Sequence, residues 1–79
     1  MTEPWTQDEA LLLQQLRQAA GLDTSQFAIE SAISHAQLLQ LENGGDTLFY
    51  SPAIKAHLGR KLTKKLQARK DASDTHKRF

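Results

Sequence analysis

The stretch GLDTSQFAIESAISHAQLLQLENG, residues 21–44, decides the fold. It holds two short helical patterns separated by a tight turn. Asp23 is followed three residues later by Gln26, and Ser34 three residues later by Gln37. Each pair matches a capping box, in which the first side chain accepts from an orphan backbone N–H and the later amide reaches back. Phe27, Ala28, Ile33, Leu38 and Leu41 place apolar groups where two crossed helices would share a core. Asn43-Gly44-Gly45 supplies the left-handed residues that end a helix.

Upstream, Thr6 and Glu9 form a third capping box, and Trp5 sits where a residue staples onto Ala10, so Trp5 reads as a packing residue. The first helix is expected over about residues 7–20, with Leu13, Leu16 and Ala20 on one face and Leu12 and Ala19 beside it. The second is expected over about 24–31 and the third over about 35–42. Residues 45–51, GDTLFYS, form an apolar loop. Leu48, Phe49 and Tyr50 are consecutive and cannot all face one way, so one caps the core and one is left for a partner. Ser51-Pro52 is a strong helix start. The fourth helix is expected to about residue 68, with Ile54, Leu58, Leu62 and Leu66 as its apolar stripe and Gly59 marking a close helix contact or a weak point. From Asp71 the chain is polar and aperiodic, which predicts disorder.

The expected architecture is all-α: a small helix-turn-helix domain of four main helices over residues 6–69, with a flexible N-terminus at 1–5 and a disordered polar tail at 70–79. With 79 residues, no cysteine and two prolines, the chain offers no disulfide framework, no thiolate zinc site and little strand character. No apolar run approaches the roughly 18 residues of a membrane helix and no signal peptide is visible, so a cytoplasmic protein without membrane contact is expected. The charge is split along the chain. Residues 1–54 carry Arg17 alone against seven acids, net −6, whereas residues 55–79 carry nine cations against two acids, net +7. Such asymmetry marks a nucleic-acid or acidic-partner surface, or a solvated basic helix. The three histidines lack metal-ligand spacing, no glycine-rich phosphate loop precedes a helix, and Ser31 and Ser34 lack His–acid partners. No catalysis, cofactor or metal is expected.

The segment resembles the helix-turn-helix of Cro/C1-type, lambda-repressor-like (XRE-type) DNA-binding domains, and aligns to that pattern without a gap. Gly21-Leu22, Phe27-Ala28, Ile33-Ser34 and Leu41-Glu42-Asn43-Gly44 fall on the family's landmark positions, as does Leu16-Arg17 upstream. The resemblance implies a structural pair between Arg17 and Glu42. It also implies a glycine in the turn, where this chain has Ser31-Ala32, so an alanine meets a position wanting positive φ at about 1 kcal/mol.

By the same resemblance, helix three lies in a major groove of double-stranded DNA, with Ser34, His35, Ala36, Gln37 and Gln40 outward. Gln37 and Gln40 would pair with adenine and His35 with guanine or phosphate. Thr24, Ser25 and Gln26 would meet phosphate at the start of helix two, Asn43 the backbone, and Lys55 and Lys61 would add charge. Two departures weigh against DNA: Thr24 stands where the family often has glutamine, and no Arg or Lys occurs between Gln18 and Ile54. A homodimer through helix four would double the contacts. The order of helix-turn-helix, aromatic loop and basic helix also resembles the cytoplasmic domain of RodZ-like shape proteins, in which the fold binds a protein, an actin-like filament. That alternative implies a protein partner at Leu48–Tyr50, although the chain lacks that family's transmembrane segment and helix-four aromatics.

Overall fold

The computed structural model describes the backbone of residues 4–76 and the side chains of residues 4–70. Four helices follow one another: α1, Gln7–Ala19; α2, Thr24–Glu30; α3, His35–Asn43; α4, Pro52–His76. No strand occurs among the described residues.

Local chemistry starts each helix. All three capping boxes form in full: the Thr6, Asp23 and Ser34 side chains accept from the N–H groups of Glu9, Gln26 and Gln37, whose side chains accept in return from the cap backbones. At α4, Ser51 Oγ accepts from the Ile54 N–H at 3.2 Å, and Pro52 takes the first helical position. Each cap contributes about 1 kcal/mol. Glycines do the stopping, with Gly21 at φ +73° after α1 and Gly44 at φ +109° after α3. Between α2 and α3, Ala32 adopts φ +58°, so the turn keeps its left-handed residue despite the Cβ. Beside it, Ser31 Oγ is buried without a hydrogen-bond partner.

Leu13, Phe27, Ala28, Leu38, Leu41, Leu62 and Leu66 form one core, flanked by Trp5, Leu16, Leu22, Ile33, Phe49 and Leu58. Fully burying each large apolar side chain contributes roughly 1.5–3 kcal/mol. α1 packs against both α3 and α4, and α2 packs on α3. The inner face of α1 is Ala10, Leu13 and Arg17. Ala20, expected beside Leu13, is exposed because it caps the helix at the surface, and Leu12 and Ala19 are exposed too.

The apolar stripe of α4 also differs from expectation. A strict spacing of four advances about 40° per step around a helix with 3.6 residues per turn. Leu62 and Leu66 therefore reach the core, Leu58 lies at its edge, and Ile54 turns outward at 50% exposure. Ala56 and Gly59 take the inner positions instead. Gly59 is the close helix contact: a Cβ built on it would lie 2.5–2.7 Å from the Trp5 ring. Trp5 thus packs on α4, and its Nε1 donates to the Leu41 carbonyl at 2.8 Å, joining the N-terminus to α3.

α4 is longer than its apolar stripe suggests. Where structureless chain is expected from residue 70, the backbone stays helical to His76. Residues 53–76 contain no proline, and Ala68, Arg69, Lys70 and Ala72 favour helix. The rest of the expected tail, residues 77–79, lies outside the described residues, as do residues 1–3 of the expected flexible N-terminus.

Candidate nucleic-acid interface

Arg17 and Glu42 fix α3 to the rest of the domain. Arg17 Nε donates to Glu42 Oε2 at 2.8 Å and Nη2 to Oε1 at 3.0 Å, a two-pronged pair buried on both sides. Arg17 Nη1 also donates to the Leu22 carbonyl at 2.8 Å, so one guanidinium ties α1, the α1–α2 turn and α3. The bonded Glu42 carboxylate raises the Arg17 pKa further. The position of α3 is therefore set by a rigid fork rather than by a flexible point charge.

On the outer side of the α2–α3 pair, Thr24 Oγ1 and His35 Nε2 lie 2.7 Å apart. This contact brings the start of α2 beside the first turn of α3, so Ser25, His35 and Ala36 share one exposed region. Asn43 is exposed at the other end of α3. Gln26 and Ser34 are exposed but engaged in their caps.

Gln37 and Gln40 are committed elsewhere. Gln37 Oε1 accepts from the Ser34 N–H at 3.1 Å, and its Nε2 donates to the Leu48 carbonyl at 3.4 Å. Gln40 is held at both ends: Nε2 donates to Thr47 Oγ1 at 2.8 Å, and Oε1 accepts from the Leu48 N–H at 3.1 Å. The two amides that suit adenine instead moor the 45–51 loop to α3, and pairing with a base requires those bonds to open. Sequence spacing signals the amides but not their partners, because the loop returns over α3 only in the folded chain.

The loop divides as its crowding predicts. Phe49 packs on the core, while Leu48 is exposed and Tyr50 is 96% exposed. Ile29 on α2 is 78% exposed, and Leu39 on α3 is also exposed. Ile29 and Leu39, unlike Leu48 and Tyr50, are not among the candidates chosen from sequence. For Ile29 a signal existed: Ser25 lies four residues earlier on the same helical face.

Cations near α3 are few. Lys55 Nζ donates to the Gly45 carbonyl at 2.6 Å and lies 5.9 Å from the Phe49 ring centroid, closing the same loop. Lys61 is exposed on α4. Arg60 pairs with Glu9 at 2.8 Å and holds that carboxyl below the usual carboxylate value. Lys65 Nζ donates to the Glu30 carbonyl, and Arg69 pairs with the Glu30 carboxylate at 3.2 Å. The apolar side of α4, a candidate dimer surface, is occupied by the chain's own core at Leu62 and Leu66.

Among the described residues there is no cluster of His, Cys, Asp or Glu that could hold a metal, and no helix is long and apolar enough to cross a membrane. No protein-family model, curated protein or solved structure matches the chain.

Proposed function

We propose that this protein is a non-catalytic DNA-binding protein of the transcription-regulator type, with α2 and α3 as a helix-turn-helix and α3 laid in the major groove. The observation that carries the reading is the Thr24–His35 contact at 2.7 Å, which sets the start of α2 beside the first turn of α3. A helix-turn-helix needs that juxtaposition, because one helix crosses the backbone while the other reads base edges. His35 and Ala36 meet bases, Thr24 and Ser25 meet phosphate, and Asn43 contacts the backbone at the far end. Gln37 and Gln40 hold the loop that flanks this face. The buried Arg17–Glu42 fork keeps the angle of α3 fixed.

A titration of labelled protein with a generic duplex, followed by NMR at about 50 and 200 mM salt, tests the reading. Shifts at Thr24–Gln26 and His35–Ala36 that fade with salt support it. A duplex that leaves those residues unshifted at both salts refutes it.

A second reading has its own observation. Ile29, Leu39 and Tyr50 are outward and apolar, and no cation lies between Gln18 and Ile54. Outward apolar groups beside a stretch without cations suit a protein partner better than phosphate. On this reading the fold is a RodZ-like protein-interaction module that docks a partner at Leu48–Tyr50. Binding that resists salt and is lost in Tyr50→Ser separates it from DNA recognition.

A further inference from the structure

Gln40 occupies the middle of the face that α3 turns away from the core. Leu38, Leu41 and Glu42 mark the buried face, and at about 100° per residue Gln40 lies roughly 150° from their mean direction. Its neighbours on the outer face, Ala36 and Asn43, are exposed, yet Gln40 is half-buried. A turn covers it. The Phe49 N–H donates to the Asp46 carbonyl at 3.2 Å, which closes residues 46–49 and leaves Thr47 and Leu48 at the tip. Phe49, packed on the core, and Lys55, bonded to the Gly45 carbonyl, hold the turn at either end.

The tip meets Gln40 with one donor and one acceptor side by side. The Leu48 N–H donates to Gln40 Oε1 at 3.1 Å, and Thr47 Oγ1 accepts from Gln40 Nε2 at 2.8 Å. A backbone N–H can only donate, so chemistry fixes which end of the amide faces Leu48. The major-groove edge of adenine offers the same pair, an N6–H donor beside the N7 acceptor. Guanine offers two acceptors there, N7 and O6, and cannot replace the pair. The Leu48 carbonyl also accepts from Gln37 Nε2 at 3.4 Å, so one loop residue engages both amides.

We propose that Thr47 and Leu48 are an internal stand-in for an adenine edge, an autoinhibitory latch that occupies the amide of Gln40 until adenine displaces it. The proposal rests on the DNA reading of α3 and deepens it, because it names the base for which the site exchanges its own loop. Adenine restores to Gln40 the donor and the acceptor that the turn withdraws, whereas guanine restores no donor. Thr47 and Leu48 are exposed, so water takes up their freed groups once the turn lifts. Losing one latch hydrogen bond raises the open population about fivefold, and apparent affinity follows that population. An open Gln40 paired with adenine discriminates against the wrong base by about 5- to 150-fold.

The experiment measures binding of the full chain to two duplexes of equal length, one of A·T pairs and one of G·C pairs, by fluorescence anisotropy at one salt. Thr47→Val keeps the branched shape and removes the acceptor; it should tighten A·T binding about fivefold and leave G·C binding unchanged. Thr47→Ser keeps the hydroxyl and should match wild type. Gln40→Met should remove the A·T preference, and in that background Thr47→Val should change nothing. An A·T affinity that Thr47→Val leaves unchanged overturns the latch. An equal gain on both duplexes overturns it too, because the turn would then be a steric cover and not an adenine mimic. So does a gain that persists in the Gln40→Met background. In these three cases duplex binding remains, and the DNA reading of α3 is untouched. No binding to either duplex, by wild type and Thr47→Val alike, removes the DNA reading and the latch with it. Both positions lie outside the core, and far-UV circular dichroism checks that each variant is folded.

Discussion

Gly59→Ala sets two physical effects against each other within α4. In an exposed helix interior the change stabilises by about 0.8–1.0 kcal/mol, because alanine loses less backbone freedom on folding. Here the new Cβ would sit 2.5 Å from Trp5 Cζ3, 2.6 Å from Cη2 and 2.7 Å from Cε3. Carbon atoms in contact prefer about 3.5–4.0 Å, so the ring must retreat by about 1 Å. That retreat lengthens the 2.8 Å bond from Trp5 Nε1 to the Leu41 carbonyl beyond hydrogen-bonding range. Overpacking costs about 1–3 kcal/mol and the lost bond about 0.5–1.5, against the propensity gain. The net is a destabilisation of about 1–3 kcal/mol. At about 2.1 cal/mol/K of unfolding entropy per residue, a 79-residue chain shifts Tm by about 6 °C per kcal/mol. Gly59→Ala should lower Tm by about 6–18 °C, read by far-UV circular dichroism, and move the emission of the single tryptophan. In a Trp5→Ala background the obstacle is gone, and the same substitution should raise Tm by about 5 °C. An equal effect in both backgrounds, or a rise in the wild-type background, would refute the Trp5–Gly59 contact.

Other perturbations test the remaining supports. Glu42→Ala strands a buried guanidinium and should cost about 3–5 kcal/mol, a large share of the stability of a small domain, and lower Tm accordingly; replacing both partners, as Arg17→Met/Glu42→Leu, should cost far less. An unchanged melt in Glu42→Ala would remove the fork from the account. Ala32→Gly relieves a left-handed alanine and should stabilise by about 0.5–1 kcal/mol, seen as a higher urea midpoint with the slope unchanged. Acid should act through Glu9, whose carboxyl is held below its ordinary value of 4.5, first by the Arg60 hydrogen bond. Because the folded value is the lower one, the stabilisation is complete above about 4.5 and is lost as pH falls through the folded value. The Tm gap between wild type and Arg60→Gln should therefore be present at neutral pH and close in acid; a gap that persists in acid assigns the Arg60 effect to packing.

The contrast between caps and faces shows how far the sequence reaches. Thr6 with Glu9, Asp23 with Gln26 and Ser34 with Gln37 are partners three residues apart, so a helix start brings them together whatever the rest of the chain does. Gly21 and Gly44 take positive φ for an equally local reason, since only glycine does so without a Cβ penalty. The four helices, their order and their ends within a residue or two were legible on that basis, except the end of α4, which runs to His76 rather than to about residue 68. The all-α class followed, as did the division of Leu48, Phe49 and Tyr50 between core and solvent.

Faces and partners were decided in three dimensions. Arg17 completes the buried side of α1 because Glu42, 25 residues later, waits there to neutralise it. Ile54 turns outward because α4 packs through Ala56 and Gly59, a choice made by the Trp5 ring from 54 residues away. Gln37 and Gln40 had the right chemistry for adenine and the right helix for a groove. Only the return of residues 47–48 over α3 shows their amides already bonded. A cap is a bond between near neighbours and is written in their identities. A side chain's final partner depends on which distant surface folding brings within about 3 Å, and that is a property of the tertiary structure.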